Sequence, residues 1–240
     1  MSTLKAQVAK SFGNAAKLYH SRAKVQSLSA QALLQGHTLK GQVLDLGCGP
    51  GGYLFEALAP QSQCQYFGLD LSLDMLKTHQ GERKIQGDAE QLPLQNAAID
   101  AIVSNMAMQW CQLDALAQEC YRVLKPKGRL LSAIVCQGSL SELSRIGMSV
   151  NTLPSRAKVE SAFTQAGFQL SIEMQTLTVE FDSPKALFQS IKGIGASSTQ
   201  SNCQGLKGKR WWQQSCAALE QQGLTLSYQV ALLYAEKLPQ

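Results

Sequence analysis

Three short stretches hold the residues best suited to chemistry, and each is anchored on a carboxylate. The first, Asp45-Leu46-Gly47-Cys48-Gly49-Pro50-Gly51-Gly52, satisfies GxGxxG through Gly47, Gly49 and Gly52. Glycines at such a turn let the backbone approach a ligand closely and swing into a helix, whose N-terminus can receive a pyrophosphate. Asp45, two residues before the first glycine, argues against phosphate, because like charges repel. The second is Asp70, closing the run CQYFGLD at 64–70. A carboxylate there accepts two hydrogen bonds from a ribose diol, whichever nucleoside carries it. The third is Asp88, in GDAEQLP at 87–93; such an aspartate either caps its own turn or meets a ligand.

Other reactive residues fall into no pattern. The three histidines, at 20, 37 and 79, match neither metal nor triad spacing, and the seven cysteines include no CxxC pair. Reduced thiols, no metal and a cytoplasmic location are expected. Tyr121 and Lys125 match the YxxxK of short-chain dehydrogenases, but the run meets Pro126 at once, so a helix aligning the two side chains ends there.

These carboxylates need a frame, and the chain from 41 to 136 alternates strands with helices. Strands are predicted at 42–46, 64–70, 84–86, 99–104 and 128–136. Helices are predicted at 51–58, at 72–78 with Ser72 as N-cap, and at 113–124, stopped by the turn Lys125-Pro126-Lys127-Gly128. Strands separated by helices imply right-handed crossovers and a parallel sheet covered on both faces, an α/β doubly wound domain. A helix at 154–167, a long strand at 168–181 and a last strand at 224–235, antiparallel at the sheet edge, complete it. The first forty residues read as helical, with Val25, Leu28, Ala32 and Leu33 on one face. They and the insert at 182–223 are expected as lids over the carboxyl edge of a core at 41–181 and 224–240.

Composition agrees with one soluble globular domain: 240 residues, 45% hydrophobic and 16% charged, with no apolar run long enough to span a membrane. The N-terminal stretch has no apolar h-region, so no secretory signal is expected. The formal charge of +5 is uneven. No acid precedes Asp45; from Asp45 to Glu119 there are ten acids against three bases, and Lys207, Lys209 and Arg210 follow later. A basic rim around an acidic centre suits an acidic partner. No nucleic-acid motif accompanies it.

The glycine loop, Asp70 and the GDAEQLP segment, in that order, resemble the cofactor motifs of class I S-adenosylmethionine-dependent methyltransferases, and RVLKPKG at 122–128 resembles their RVLKPGG. The resemblance narrows further along the chain. SNMAMQW at 104–110 is similar to the SNxAxQW segment of the malonyl-acyl carrier protein O-methyltransferases, which open biotin synthesis. Phe12, Ala15, Ala16 and Tyr19 resemble that family's FxxAAxxY, GSLSEL at 138–143 its GSLxEL, and IKGIGA at 191–196 its LKxxGA. The chain departs from the family after Leu143, where SRIGMSVNTLPS is short and holds no Trp.

That resemblance implies a Rossmann-like, mostly parallel seven-stranded sheet with an antiparallel edge strand, and S-adenosylmethionine as cofactor. Asp45, Gly47, Cys48, Gly49 and Gly51 would hold its amino-acid end, Asp45 helping to receive the ammonium. Asp70 would hold the ribose, Leu71, Asp88 and Ala89 the adenine, and Ser104 would complete the site. Tyr19, Asn105, Gln109 and Trp110 are candidates to shape the methyl-transfer pocket, and Lys192 and Arg145 to hold the malonyl carboxylate or thioester. The implied partner is an acyl carrier protein presenting malonyl-phosphopantetheine, with Lys207, Lys209, Arg210, Arg156 and Lys158 as its rim. Bland readings stand beside these: Trp110 as a core aromatic, Lys192 as a solvated lid residue. Three alternatives remain open from sequence: another methyl acceptor (a quinone-ring carbon or small free acid), an NAD-dependent oxidoreductase, and a non-catalytic binding module.

Overall fold

Alternate residues along the central strands face opposite ways, and in this chain both faces are apolar. Val43, Val103, Leu131 and Leu232 enter one buried cluster; Leu44, Ile102, Leu130 and Leu233 enter the other. A sheet with that pattern has to be covered on both sides. The computed structural model, which describes residues 24–148, 150–193 and 209–239, shows that arrangement. Seven strands are ordered β3-β2-β1-β4-β5-β7-β6: β1 (Gly41–Leu46), β2 (Cys64–Asp70), β3 (Lys84–Gln86), β4 (Ile99–Asn105), β5 (Leu124–Val135), β6 (Phe168–Glu180) and β7 (Thr225–Lys237). The first five are mutually parallel. Strand β7 runs antiparallel between β5 and β6. The last strand is therefore antiparallel as expected but one place in from the edge; β6 forms the edge itself.

Helix α1 (Lys24–Leu34) precedes the sheet, and α2 (Tyr53–Leu58) and α3 (Leu73–Thr78) follow β1 and β2. Helix α1 buries Val25, Gln26, Ser29, Ala30 and Leu33, whereas Leu28, expected on that face, is exposed. Ser72 caps α3 by accepting from the Met75 amide. Helix α4 (Leu113–Val123) buries Leu113, Leu116, Ala117, Cys120 and Val123, a single stripe of helical period. It ends where Leu124 turns extended, and the Lys237 ammonium caps it by donating to the Tyr121 and Leu124 carbonyl oxygens at 2.7 and 2.8 Å. The expected 125–128 turn lies within β5 as an irregularity of its first part: pairing passes from Leu124 opposite Ile99 to Arg129 opposite Ala101.

The remaining helices are α5 (Ser141–Arg145), α6 (Arg156–Gln165), α7 (Pro184–Gly193) and α8 (Lys209–Gln222). Helix α6, capped by Ser155, packs on α4 over one face of the sheet. Residues from α1, α2, α5, α7 and α8 join the cluster on the other face. The parallel strands β1, β2 and β4 all end at one edge. The sequence-selected carboxylates and the SNMAMQW segment are brought together there.

Candidate active site

Gly47, at the exit of β1, carries φ +73, and a Cβ there would collide with that of Ala107. Only glycine satisfies both conditions. Gly49 also has positive φ, +57, with no atom within 4 Å of where its Cβ would lie, so its backbone faces open space. The Asp70 carboxylate ties this loop to β2: Oδ2 accepts from the Gly49 amide at 2.9 Å and Oδ1 from the Ser72 amide at 2.8 Å. Burial raises the Asp70 pKa, opposed by these backbone N–H groups. A carboxylate fixed in this way at the rim of the loop can also accept from a diol.

A cleft of about 120 Å³ opens above these residues. Gly47, Gly49, Asp70, Leu71, Gly87, Asp88 and Ala89 line it on one side. Ser104, Asn105, Met106, Ala107, Met108, Trp110, Cys111 and Leu116 line it on the other. Asp88 serves both readings: Oδ1 accepts from the Glu90 amide at 3.0 Å, an Asx turn, and the side chain lines the cleft. Among the described residues, the lining holds no Lys, Arg or His.

A second cleft lies across the glycine loop. It is lined by Asp45, Gly47, Cys48, Gly51, Glu56, Asn105 and, from α1, Gln26 and Ser27. Gly47 and Asn105 face both clefts. Asp45 is buried and its Oδ2 accepts from the Tyr66 hydroxyl at 2.6 Å. Burial pushes its pKa up to about 7, with the Tyr66 hydrogen bond opposing and the Asp70 charge adding. Cys48 is no nucleophile here. Burial, then the Asp45 and Asp70 charges, drive its pKa far up and keep it a thiol.

Several expected contacts take other roles. The Ser104 hydroxyl lines the cleft but donates to the Leu46 carbonyl at 2.7 Å, bridging β4 to β1. Asn105 secures α1: its Oδ1 accepts from Ser29 at 2.6 Å and its Nδ2 donates to the Gln26 carbonyl at 2.8 Å. It shapes the pocket by holding a helix, leaving few polar atoms for substrate. Gln109 lies on a 3₁₀ turn (Met108–Trp110) after β4, and its Nε2 donates to the Met106 carbonyl at 2.6 Å. That carbonyl can only accept, so the amide orientation is fixed and Oε1 is left buried without a partner among the described residues. Met106 itself has φ 53, a conformation rare outside glycine. Arg145 is exposed on α5 and does not line either cleft. Tyr19, Lys207 and the side chains of Lys192, Lys209 and Arg210 lie outside the described residues, as do Phe12, Ala15, Ala16 and the end of the IKGIGA segment.

Sequence reading missed Met75, Met108, Cys111 and Leu116 as cleft walls. Apolar residues at helical spacing carry no signal that separates wall from core. It also missed Tyr66 and His79, buried behind the glycine loop and joined at 3.3 Å. The YxxxK match is excluded by geometry. Tyr121 packs at the far end of α4 against Phe168 and Lys237, and Lys125 pairs with Asp100.

A methyltransferase domain model matches residues 44–132, the segment that builds the cleft. The malonyl-[acyl-carrier protein] O-methyltransferase of Alcanivorax borkumensis is 35% identical over 97% of this chain and 87% of its own length. The chain belongs to that methyltransferase family. The biotin biosynthesis bifunctional protein BioHC of Saccharophagus degradans is also 35% identical, over 94% of this chain and 45% of the longer protein. Among solved structures, the YcgJ protein of Bacillus subtilis superposes with a TM-score of 0.63 at 18% identity, covering 89% of this chain and 99% of its own. That agreement concerns the fold.

The cleft pair fits the nucleoside and amino-acid ends of S-adenosylmethionine. The fit rests on the open backbone at Gly49, the Asp70 carboxylate lining one cleft and the buried Asp45 carboxylate lining the other.

Proposed function

We propose that this chain transfers a methyl group from S-adenosylmethionine to the free carboxylate of a malonyl thioester on acyl carrier protein or coenzyme A, giving the methyl ester that starts the pimeloyl chain of biotin. The supporting observation is the pair of clefts joined over Gly47 at the carboxyl edge of the sheet, in a chain whose relatives bear that name along nearly its whole length. When bound, S-adenosylmethionine supplies an electrophilic methyl carbon. The malonyl carboxylate oxygen would take that methyl, the C–S bonding pair remaining on the departing sulfur.

The chain's own residues then have to orient and enclose. Asp70 receives the ribose diol, Leu71 and Ala89 flank the ring, Asp88 meets its amino group, and Asp45 takes the ammonium. A malonyl carboxylate is already a nucleophile at pH 7, so no general base is required. A cleft lined without Lys, Arg or His among the described residues suits such an acceptor. Alignment of oxygen, methyl carbon and sulfur can supply roughly 7–11 kcal/mol of the barrier. Trp110 borders the acceptor side; Gln109, Tyr19 and Lys192 are the candidates to complete it, with segments 1–40 and 182–223 as lids.

The acidic carrier docks on the basic rim at a cytoplasmic location. Arg156 is exposed at the start of α6. Lys158 pairs with Asp114 at 2.6 Å, but both side chains are at least half exposed, a pairing weak enough to exchange for a partner's carboxylate. The test is methyl transfer from labelled S-adenosylmethionine to malonyl-acyl carrier protein, malonyl-coenzyme A, a quinone precursor and free dicarboxylic acids, with calorimetric titration of S-adenosylhomocysteine and NAD. Label in the malonyl thioesters and heat with the homocysteine nucleoside are expected. Label only in another acceptor, or heat only with NAD, refutes the assignment.

A further inference from the structure

Behind the glycine loop, three buried side chains from β1, β2 and the end of α3 form a directed chain. The Gly81 amide donates to His79 Nδ1 at 2.8 Å, so the neutral ring carries its proton on Nε2. Nε2 lies 3.3 Å from the Tyr66 hydroxyl, which in turn donates to Asp45 Oδ2 at 2.6 Å. Burial, and then the adjacent Asp45 charge, hold the phenol protonated. The imidazole is fitted closely. A Cβ on Gly81 would lie 2.8 Å from His79 Cε1, and one on Gly68 would lie 2.9 Å from Cys48 Sγ and 3.4 Å from His79 Nε2. Phe55 meets both rings edge-on, at 5.3 Å from Tyr66 and 4.8 Å from His79.

We infer that Tyr66 and His79 are positioning residues for the cofactor's amino-acid end: their aligned donors hold Asp45 as the buried anion that receives the ammonium. This rests on the proposed role of Asp45 as the counter-ion. Donors in a chain polarise one another, and each hydrogen bond to a carboxylate favours its charged form. The proton stays on each donor throughout, so the chain orients and does not relay. Other charged groups surround it. Asp70 lies across the loop, Glu56 lines the same cleft, the Cys48 thiol sits beside Gly68, and Lys84 Nζ donates to the His79 carbonyl at 3.0 Å.

The consequence is a pH dependence confined to one end of the ligand. Asp45 titrates near 7, so its hold on an ammonium weakens as pH falls through that value. The probes are S-adenosylhomocysteine and 5′-methylthioadenosine, which lacks the amino-acid end. Asp70 faces the ribose of both, so its titration cancels in the ratio of their dissociation constants. In the wild type, the advantage of S-adenosylhomocysteine is expected to shrink about tenfold per pH unit below 7. Tyr66→Phe removes a charge-assisted donor, which moves the inflexion up by about one to two pH units. It therefore weakens S-adenosylhomocysteine about tenfold or more at pH 7 while sparing methylthioadenosine. His79→Phe acts in the same direction, about threefold.

A flat ratio across pH in the wild type, or equal weakening of both ligands in Tyr66→Phe, overturns the inference even where the variants fold poorly. Failure of the wild type to bind either ligand refutes the cofactor assignment itself.

Discussion

Replacing Asp45 by Asn should stabilise the ligand-free protein and weaken its hold on the cofactor's amino-acid end. The carboxylate is buried, and its pKa stands at about 7 against an ordinary 3.8. At about 1.4 kcal/mol per pH unit, the folded anion is about 4 kcal/mol less favourable than the unfolded one. The sign follows from a raised acid: above pH 7 the folded state bears the whole penalty. The penalty shrinks as pH falls toward 4, where both states are protonated. Asparagine keeps an acceptor for the Tyr66 hydroxyl without the charge, and its new N–H donors give back about 1–2 kcal/mol. A net gain of about 2–3 kcal/mol at pH 8 corresponds to about 4–12 °C in Tm for a chain of this size. The gain should fall to a small remainder at pH 5. Thermal unfolding at both pH values, with and without S-adenosylhomocysteine, reads the two effects together. The variant should melt higher alone and gain less from S-adenosylhomocysteine than the wild type does. An unchanged or lower Tm at pH 8, or a difference independent of pH, would refute the picture of a charge kept in the interior for binding.

Asp70→Asn leaves one of the two amides, Gly49 or Ser72, facing an NH₂ group. It should lower stability by about 1–3 kcal/mol and weaken S-adenosylhomocysteine at least ~100-fold, since two charge-assisted diol bonds are lost together; affinity within threefold of wild type would exclude the ribose contact. Gly47→Ala places a methyl on Ala107 at a positive φ, so calorimetry should show binding lost while a shifted but cooperative melt persists. Lys237→Met strips the cap from α4 and leaves the Tyr121 and Leu124 carbonyls unpaired, a loss of about 1–3 kcal/mol in urea unfolding. Because that cap lies at the end of α4 remote from the cleft, ligand affinity should be untouched.

Local chemistry was legible. Strands 64–70 and 84–86 and the Ser72 cap stand where the sequence places them, because each is bounded by its own turn residues. The three carboxylates were legible too, since each closes a strand or turn that ends at one edge. Long-range pairing was not. Nothing in LTLSYQVALLYA distinguishes an edge strand from one held between two neighbours; only its antiparallel register with both β5 and β6 shows the difference. Leu28 looked like core because the apolar stripe was drawn through leucines, whereas α1 buries Gln26 and Ser29 to meet Asn105. Tyr66 and His79 join across space, and no spacing rule links residue 66 to residue 79 through a contact with residue 45.

Asn105 ties the N-terminal helix to the proposed active site. Its side chain lines both clefts and spends its amide on α1, while α1 returns Gln26 and Ser27 as a wall of the second cleft. A buried amide satisfied in this way leaves two unpaired partners when it is lost, at about 1–3 kcal/mol for each buried group. The helix that encloses the cofactor's amino-acid end is fixed to the strand that presents the methyl acceptor side. Binding at Asp45 and closure at Asn105 therefore draw on the same few residues.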